Sequence, residues 1–258
     1  MVNIRTPAQR REQRKEKKIQ EQEAGSGALR DKLFVDPLFK PRSVFSQRNS
    51  ENKMTVGSYL IVCEDSKSGL HYLQDLVDDM QLSYVKFVSS AEKGRTDPQS
   101  VVRYAEDEIS KDKNILKAFV VFDGDIALRG GSEKNKFDSA VSKASDNDKI
   151  ELFVSVPCLE FWFVLHYVYR DTAYQKMAGN FSCCDSVGKE LSTLISDGRG
   201  YDKSEKEIYD RLQKDRRANR DQAVQFAQKL REQNFGKRLF LNPSTDMDRL
   251  IEKLKALS

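Results

Sequence analysis

The chain has 258 residues, of which 38% are hydrophobic and 33% charged, against roughly 25% charged in an average globular protein. Its net charge of +4 is unevenly spread: residues 1–50 carry 12 Lys/Arg against 6 Asp/Glu, so the surplus sits near the N-terminus and the rest is slightly acidic. No stretch approaches the roughly 20 apolar residues of a membrane span, and the first twenty residues lack the apolar core of a secretion signal.

Residues 1–25 are almost wholly polar and have no apolar stripe to bury, which predicts a charged arm without stable structure of its own. Residues 26–57 mix Gly, Ser, Pro and Asn with a few apolar anchors, among them Leu33, Phe34 and Phe39, and read as an extended linker. Ordered patterning starts at Ser58. Tyr59-Leu60-Ile61-Val62-Cys63 is a continuous apolar run, as in a strand buried on both faces. Leu70, Leu73, Leu76, Val77 and Met80 then recur at helical spacing, and Tyr84–Val88 reads as a second strand. Asp97 and Pro98 supply the cap and first-turn proline of a helix carrying Val101, Val102, Ala105 and Ile109. Ala118–Phe122 is a third strand, 132–144 a helix and Leu152–Ser155 a fourth strand; Pro157 opens an apolar helix over 158–169. Alternating strands and helices predict an α/β fold with a four-stranded, mostly parallel sheet over 58–170. Beyond it, helices over 185–196, 205–232 and 244–257 predict a helical C-terminal region, 171–258. Ser244 or Thr245 is the expected cap of the last helix.

Ligands of open parallel sheets bind at the carboxyl ends of the strands, and here those ends carry acids. The first strand runs into Glu64-Asp65 and the third into Asp123-Gly124-Asp125; Glu160 lies in the first turn after the fourth. Residues two apart on an extended chain face one side, so Asp123 and Asp125 can point at one hard cation, with Gly124 allowing a tight turn. Several carboxylates gathered without Lys, Arg or a metal repel one another. Magnesium suits such a site because it takes oxygen ligands and keeps waters that a phosphate can replace; manganese is the substitute.

Each feature also has a plainer reading. Glu64 can be a solvated loop acid, Asp-Gly-Asp simple turn chemistry, and Glu160 a partner of the helix dipole. His166 reads as a core histidine rather than a ligand. Four cysteines without a Cys-x-x-Cys pair suggest neither a zinc site nor a disulfide framework, so a reduced, cytoplasmic protein is expected.

A strand ending in Glu, a βα unit and a strand ending in Asp-x-Asp together resemble the Toprim domain of topoisomerases, primases and OLD-type nucleases. A more specific resemblance is to the RloB-like (AbiLii-like) family of bacterial defence-associated proteins. It is carried by Ile61-Val62-Cys63-Glu64 with Tyr72, Val121-Phe122-Asp123-Gly124-Asp125, Ser155-Val156-Pro157-Cys158-Leu159-Glu160-Phe161-Trp162 with His166, and Asn242-Pro243-Ser244-Thr245. The pattern departs at three places: Gly69 stands where the family has a second Glu, Asp65 where Gly follows Cys-Glu, and Leu159 where Phe is common. The resemblance implies a Toprim-fold, magnesium-dependent phosphodiesterase, working beside an AAA or ABC-type ATPase in abortive phage defence, with DNA or RNA, including tRNA, as substrate.

On that reading Asp123, Asp125 and Glu64 are the metal ligands. Glu64 alternatively serves as general acid or base, and Glu160 has a supporting role or serves a second metal. Lys67, Arg216, Arg217 and Arg220 are the candidate substrate-binding residues, within the basic stretches Lys203–Lys206 and Lys214–Arg220 and the arm. Two other enzyme-like patterns are weaker. Phe122–Ile126 also resembles the first motif of haloacid-dehalogenase-type phosphatases, but a βαβα segment precedes it. A receiver-like acidic pocket would need a further strand followed by Lys. A non-catalytic subunit regulating its ATPase remains the third class.

Overall fold

The computed structural model describes residues 57–128, 131–176, 181–195, 197–234 and 240–258; the expected arm over 1–25 and the linker up to residue 56 lie outside them. One sheet organises the fold. It contains β1 (Ser58–Cys63), β2 (Val85–Ser89), β3 (Ile115–Asp123), β4 (Ile150–Val156) and β5 (Ser244–Thr245), in the spatial order β2-β1-β3-β4-β5. The first four strands are parallel and β5 is antiparallel to β4. The helices are α1 (Ser68–Asp79), α2 (Pro98–Lys111), α3 (Gly131–Ser145), α4 (Glu160–Leu165), α5 (Cys183–Leu194), α6 (Ile208–Lys214), α7 (Arg220–Gln233) and α8 (Met247–Lys255).

The continuous apolar strands are explained by helices on both faces of the sheet. Leu60, Val62, Val120, Phe122, Val154 and Val156 point to one face, where they pack with α2 and α3. Ile61, Cys63, Phe119, Val121 and Phe153 point to the other, under α1 and α4–α8. Period-two alternation therefore divides each strand between two cores. Because α1 and α2 lie on opposite faces, the chain leaves β1 towards β2 on one side and returns to β3 on the other. The strand order reverses there, and a crevice opens at the carboxyl ends of β1 and β3.

The helical region differs from the expectation in four places, each with a local cause. The apolar helix is only α4: the His166 carbonyl accepts the Asn219 N–H at 2.8 Å, which ties the chain to the start of α7. The expected helix over 205–232 is two helices. The Asp215 carboxylate turns back to the Arg217 N–H at 3.0 Å, and the Asn219 side chain caps α7 through the Gln222 N–H at 2.9 Å. Ser182 and Asp185 form a reciprocal capping box, so α5 starts ahead of residue 185. Ser244 and Thr245 do not begin the last helix but form a fifth strand: Thr245 pairs with Ser155, their hydroxyls 2.7 Å apart. Asp97 and Pro98 open α2 as expected, with Asp97 accepting the Ser100 N–H at 3.1 Å. No helix among the described residues is long and apolar enough to cross a membrane.

Candidate active site

Sheet register places the first two acids. Cys63 is level with Val121, and Glu64 continues the ladder by donating its N–H to the Val121 carbonyl at 3.0 Å. The Glu64 side chain then reaches the end of β3, where Oε2 accepts the Asp123 N–H at 2.9 Å. Asp123 ends β3, and its Oδ1 accepts the Leu159 N–H at 2.9 Å, which fixes the turn leading into α4. That turn delivers Glu160, the first residue of α4, with its side chain only 5% exposed.

Asp125 does not continue the extended strand. It begins a short 3₁₀ turn, Asp125–Leu128, so alternation along a strand is not what brings it to Asp123. Gly124 is required by crowding rather than by an unusual φ: a Cβ there would lie 2.5 Å from Val156 Cγ2 and 3.0 Å from Val154 Cγ1. Glu64, Asp123, Asp125 and Glu160 nevertheless line one cavity of 770 Å³, together with Thr96, Tyr201 and Lys203.

Tyr201 and Lys203 are the members that sequence reasoning missed as site residues. They arrive on the loop Asp197–Glu205, between α5 and α6. Arg211 of α6 holds this loop through Asp197 at 2.8 Å, the Gly200 carbonyl at 2.8 Å and Glu205. The Tyr201 hydroxyl donates to Glu160 Oε1 at 3.0 Å and lies 2.7 Å from Ser68 Oγ. Lys203 Nζ stands 3.6 Å from Asp123 Oδ2 and 3.4 Å from Glu160 Oε1. The sequence held one signal for this loop: Gly198 and Gly200, both at positive φ, frame an Asp-Gly-Arg-Gly turn. Nothing in it joined the loop to strand ends 40 to 140 residues away.

The charges are incompletely balanced. Burial pushes the Glu64 carboxyl up to about 7; the Asp123 N–H and Lys203 oppose the rise, while Asp125 adds to it. Burial also drives Asp123 well above the ordinary carboxylate range; Lys203 pulls it back, and Glu160 and Glu64 raise it. Glu160 goes the other way. Burial is the largest single influence and disfavours its charge, but the Lys203 ammonium together with hydrogen bonds from Cys158, the Glu160 backbone and the Tyr201 hydroxyl holds the carboxyl below its ordinary value. Lys203 itself is held protonated by Asp123 and Glu160 against the cost of burial. The same ammonium thus favours the charged form of both acids, and with the added hydrogen bonds it suffices at Glu160 but not at Asp123.

The residues suit a hard divalent cation in kind. The donors are carboxylate oxygens, and Glu160 Oε2 is buried without a hydrogen-bond partner. Among the described residues, no three His, Cys, Asp or Glu side chains are gathered closely enough to hold a metal. In this arrangement the cation against Asp123 and Glu160 is Lys203.

The other singled-out residues fall in different places. Lys67 is exposed at the start of α1 and borders a smaller pocket of 220 Å³ beside Glu64 and Asp123. Arg216, Arg217 and Arg220 line neither pocket. Arg217 contacts the Leu194 carbonyl and lies over the Tyr167 ring, and Arg220 reaches the Tyr209 hydroxyl at 3.0 Å. Asp65 Oδ1 accepts the N–H groups of Lys67 and Leu70 at 3.3 and 3.2 Å, serving the start of α1. A Cβ at Gly69 would stand 3.2 Å from Asp65 Oδ2. The departures at 65 and 69 are therefore linked, since the Asp65 carboxylate fills the space beside Gly69. His166 is buried and its pKa falls to about 4, chiefly from burial; Nδ1 lies 3.0 Å from the Trp162 carbonyl, as for a core histidine.

In comparison with known proteins, the family model described as RloB-like protein matches residues 59–254. No curated protein and no solved structure matches the chain.

Proposed function

The chain belongs to the RloB-like family, and from that premise we propose that it is a Toprim-type, magnesium-dependent nuclease that hydrolyses phosphodiester bonds of DNA or RNA, tRNA included. One observation carries the reading: Glu64, Asp123, Asp125 and Glu160 meet in one cavity at the reversal of strand order. Mg²⁺ held by Glu64, Asp123 and Asp125, with Mn²⁺ as substitute, would bind a non-bridging phosphate oxygen and offset charge developing in the transition state. The remaining tasks belong to the chain. Alternatively, with Asp123 and Asp125 alone on the metal, Glu64, whose carboxyl lies near 7 in the metal-free site, could gain or lose a proton at neutral pH as general acid or base. Tyr201 and Lys203 orient Glu160, which lines the cavity. Lys203, Lys189 and Lys67 are the cations beside the pockets that can attract a polyanion. We assign Arg216, Arg217 and Arg220 to a more distant part of a nucleic-acid footprint. Family membership extends the proposal to a cytoplasmic effector in phage defence, governed by an AAA or ABC-type ATPase.

The test uses purified full-length chain with its ATPase and end-labelled DNA and RNA. Cleavage should require Mg²⁺, stop with EDTA, and fall at least about 100-fold in the Glu64→Ala/Asp123→Ala double mutant. A folded double mutant with full cleavage or cell toxicity sinks the nuclease reading. A second reading is favoured by the contact of Lys203 with both Asp123 and Glu160, which can act as a structural ion pair. On it the chain is a non-catalytic subunit of the ATPase complex, and an Asp123→Ala/Asp125→Ala variant would leave the whole system fully active.

A further inference from the structure

The loop carrying Lys203 is anchored without using the Lys203 side chain. Arg211 grips Asp197, Gly200 and Glu205. Ser192 Oγ accepts the Tyr201 N–H at 2.9 Å, and the Ser68 N–H donates to the Lys203 carbonyl at 3.1 Å. The side chain is 43% exposed and lines the acid cavity. A lysine ammonium is a monovalent point charge on a flexible four-carbon stem, so it can leave its carboxylates while the loop stays in place. The Leu159 N–H already occupies Asp123 Oδ1. Asp123 Oδ2 is the atom that Lys203 faces, at 3.6 Å, and with Oδ1 already accepting an N–H it is the more available oxygen for a metal. On Glu160 the ammonium serves Oε1 and leaves the buried Oε2 unpartnered.

We propose that Lys203 is the resident counter-cation of the cavity and sets its threshold for divalent metal, because an ion that takes Asp123 must first displace the ammonium. This rests on the metal-binding reading above and adds a residue that determines how much metal the site requires. With little metal, the Lys203 ammonium offsets part of the charge of Asp123 and Glu160. With more, a doubly charged ion gains more from the same carboxylates than an ammonium does.

Binding of Mn²⁺ to the full-length, metal-free chain at pH 8 tests this, followed by the electron paramagnetic resonance signal of free Mn²⁺. The proposal expects Lys203→Met to bind Mn²⁺ about tenfold more tightly than wild type, Lys203→Arg to stay within about twofold of wild type, and Asp123→Asn to lose binding. If Asp123→Asn loses binding but Lys203→Met binds no more tightly than wild type, the role of Lys203 is overturned and the metal site survives. If wild type does not bind, or binds as well with Asn at 123, the metal reading fails and this inference with it. Should Lys203→Met not fold, wild type with ¹³C-methylated lysines, which keep their charge, decides. The Lys203 resonance, identified by its loss in Lys203→Arg, must shift at saturating Mg²⁺; an unmoved resonance overturns the proposal.

Discussion

Glu64, Asp123 and Glu160 are positioned by the register of a buried sheet and the turn that follows it, whereas Tyr201 and Lys203 come in on a loop held by side-chain contacts. The first group follows from backbone pairing. Glu64 continues the β1–β3 ladder, Asp123 ends β3, and the Leu159 N–H ties Asp123 to the turn before Glu160. The second group depends largely on one residue, Arg211, whose side chain is 8% exposed and bound to both ends of the loop. Acids that repel are thus fixed by the pairing of the sheet and its turns, while the cation that relieves them arrives on a separately anchored segment. That division allows the charge balance to change without the sheet moving.

Removing the anchor should break the comparison most strongly. Arg211→Ala leaves Glu205, a mostly buried acid, without its partner, and we expect a loss of about 3 kcal/mol in urea unfolding, the scale for breaking a buried ion pair from one side. Glu64 should keep its place, since its hydrogen bonds belong to the sheet. A loss below about 0.5 kcal/mol would mean the loop has other supports of equal strength.

A smaller effect sharpens the electrostatic side. The Glu64 carboxyl is raised in the folded chain from 4.5 to about 7, so folding favours its protonated form. Stability from this group is fully present below the unfolded value of 4.5 and is lost as pH rises through about 7. Glu64→Gln removes that loss. Without divalent metal it should be more stable than wild type by about 2 kcal/mol at pH 8, with the gap nearly closed at pH 4.5, as read from urea melts at both pH values. Excess Mg²⁺ should narrow the pH 8 gap by stabilising wild type. A gap independent of pH would refute the burial argument for Glu64.

The same contrast explains what could be read from sequence. The strands were legible because each is a dense apolar run with a helix-period segment after it, and the strand-end acids followed because ligand sites of such sheets lie there. The helical region was less legible. Thr245 looks like a helix cap, and its hydroxyl does accept the Met247 N–H at 3.2 Å, but the residue lies in β5 and the same hydroxyl meets Ser155 across 90 residues. The break between α6 and α7 comes from Asp215 and Asn219 taking backbone N–H groups, which amphipathic periodicity does not register. Gly124 was noticeable as a glycine, yet its cause, the approach of Val156, is tertiary. Lys203 was visible only as one charge in a basic stretch; its meeting with Asp123 and Glu160 needs the Arg211 anchor.

Crystals of the full-length chain soaked in Mn²⁺, with anomalous scattering recorded at the manganese edge, test the central claim most directly. The account predicts an anomalous peak against the Asp123 carboxylate within reach of Glu64 or Asp125, with the Lys203 ammonium withdrawn from Asp123 Oδ2. A cavity without a peak at saturating Mn²⁺, with Lys203 still between Asp123 and Glu160, would contradict it.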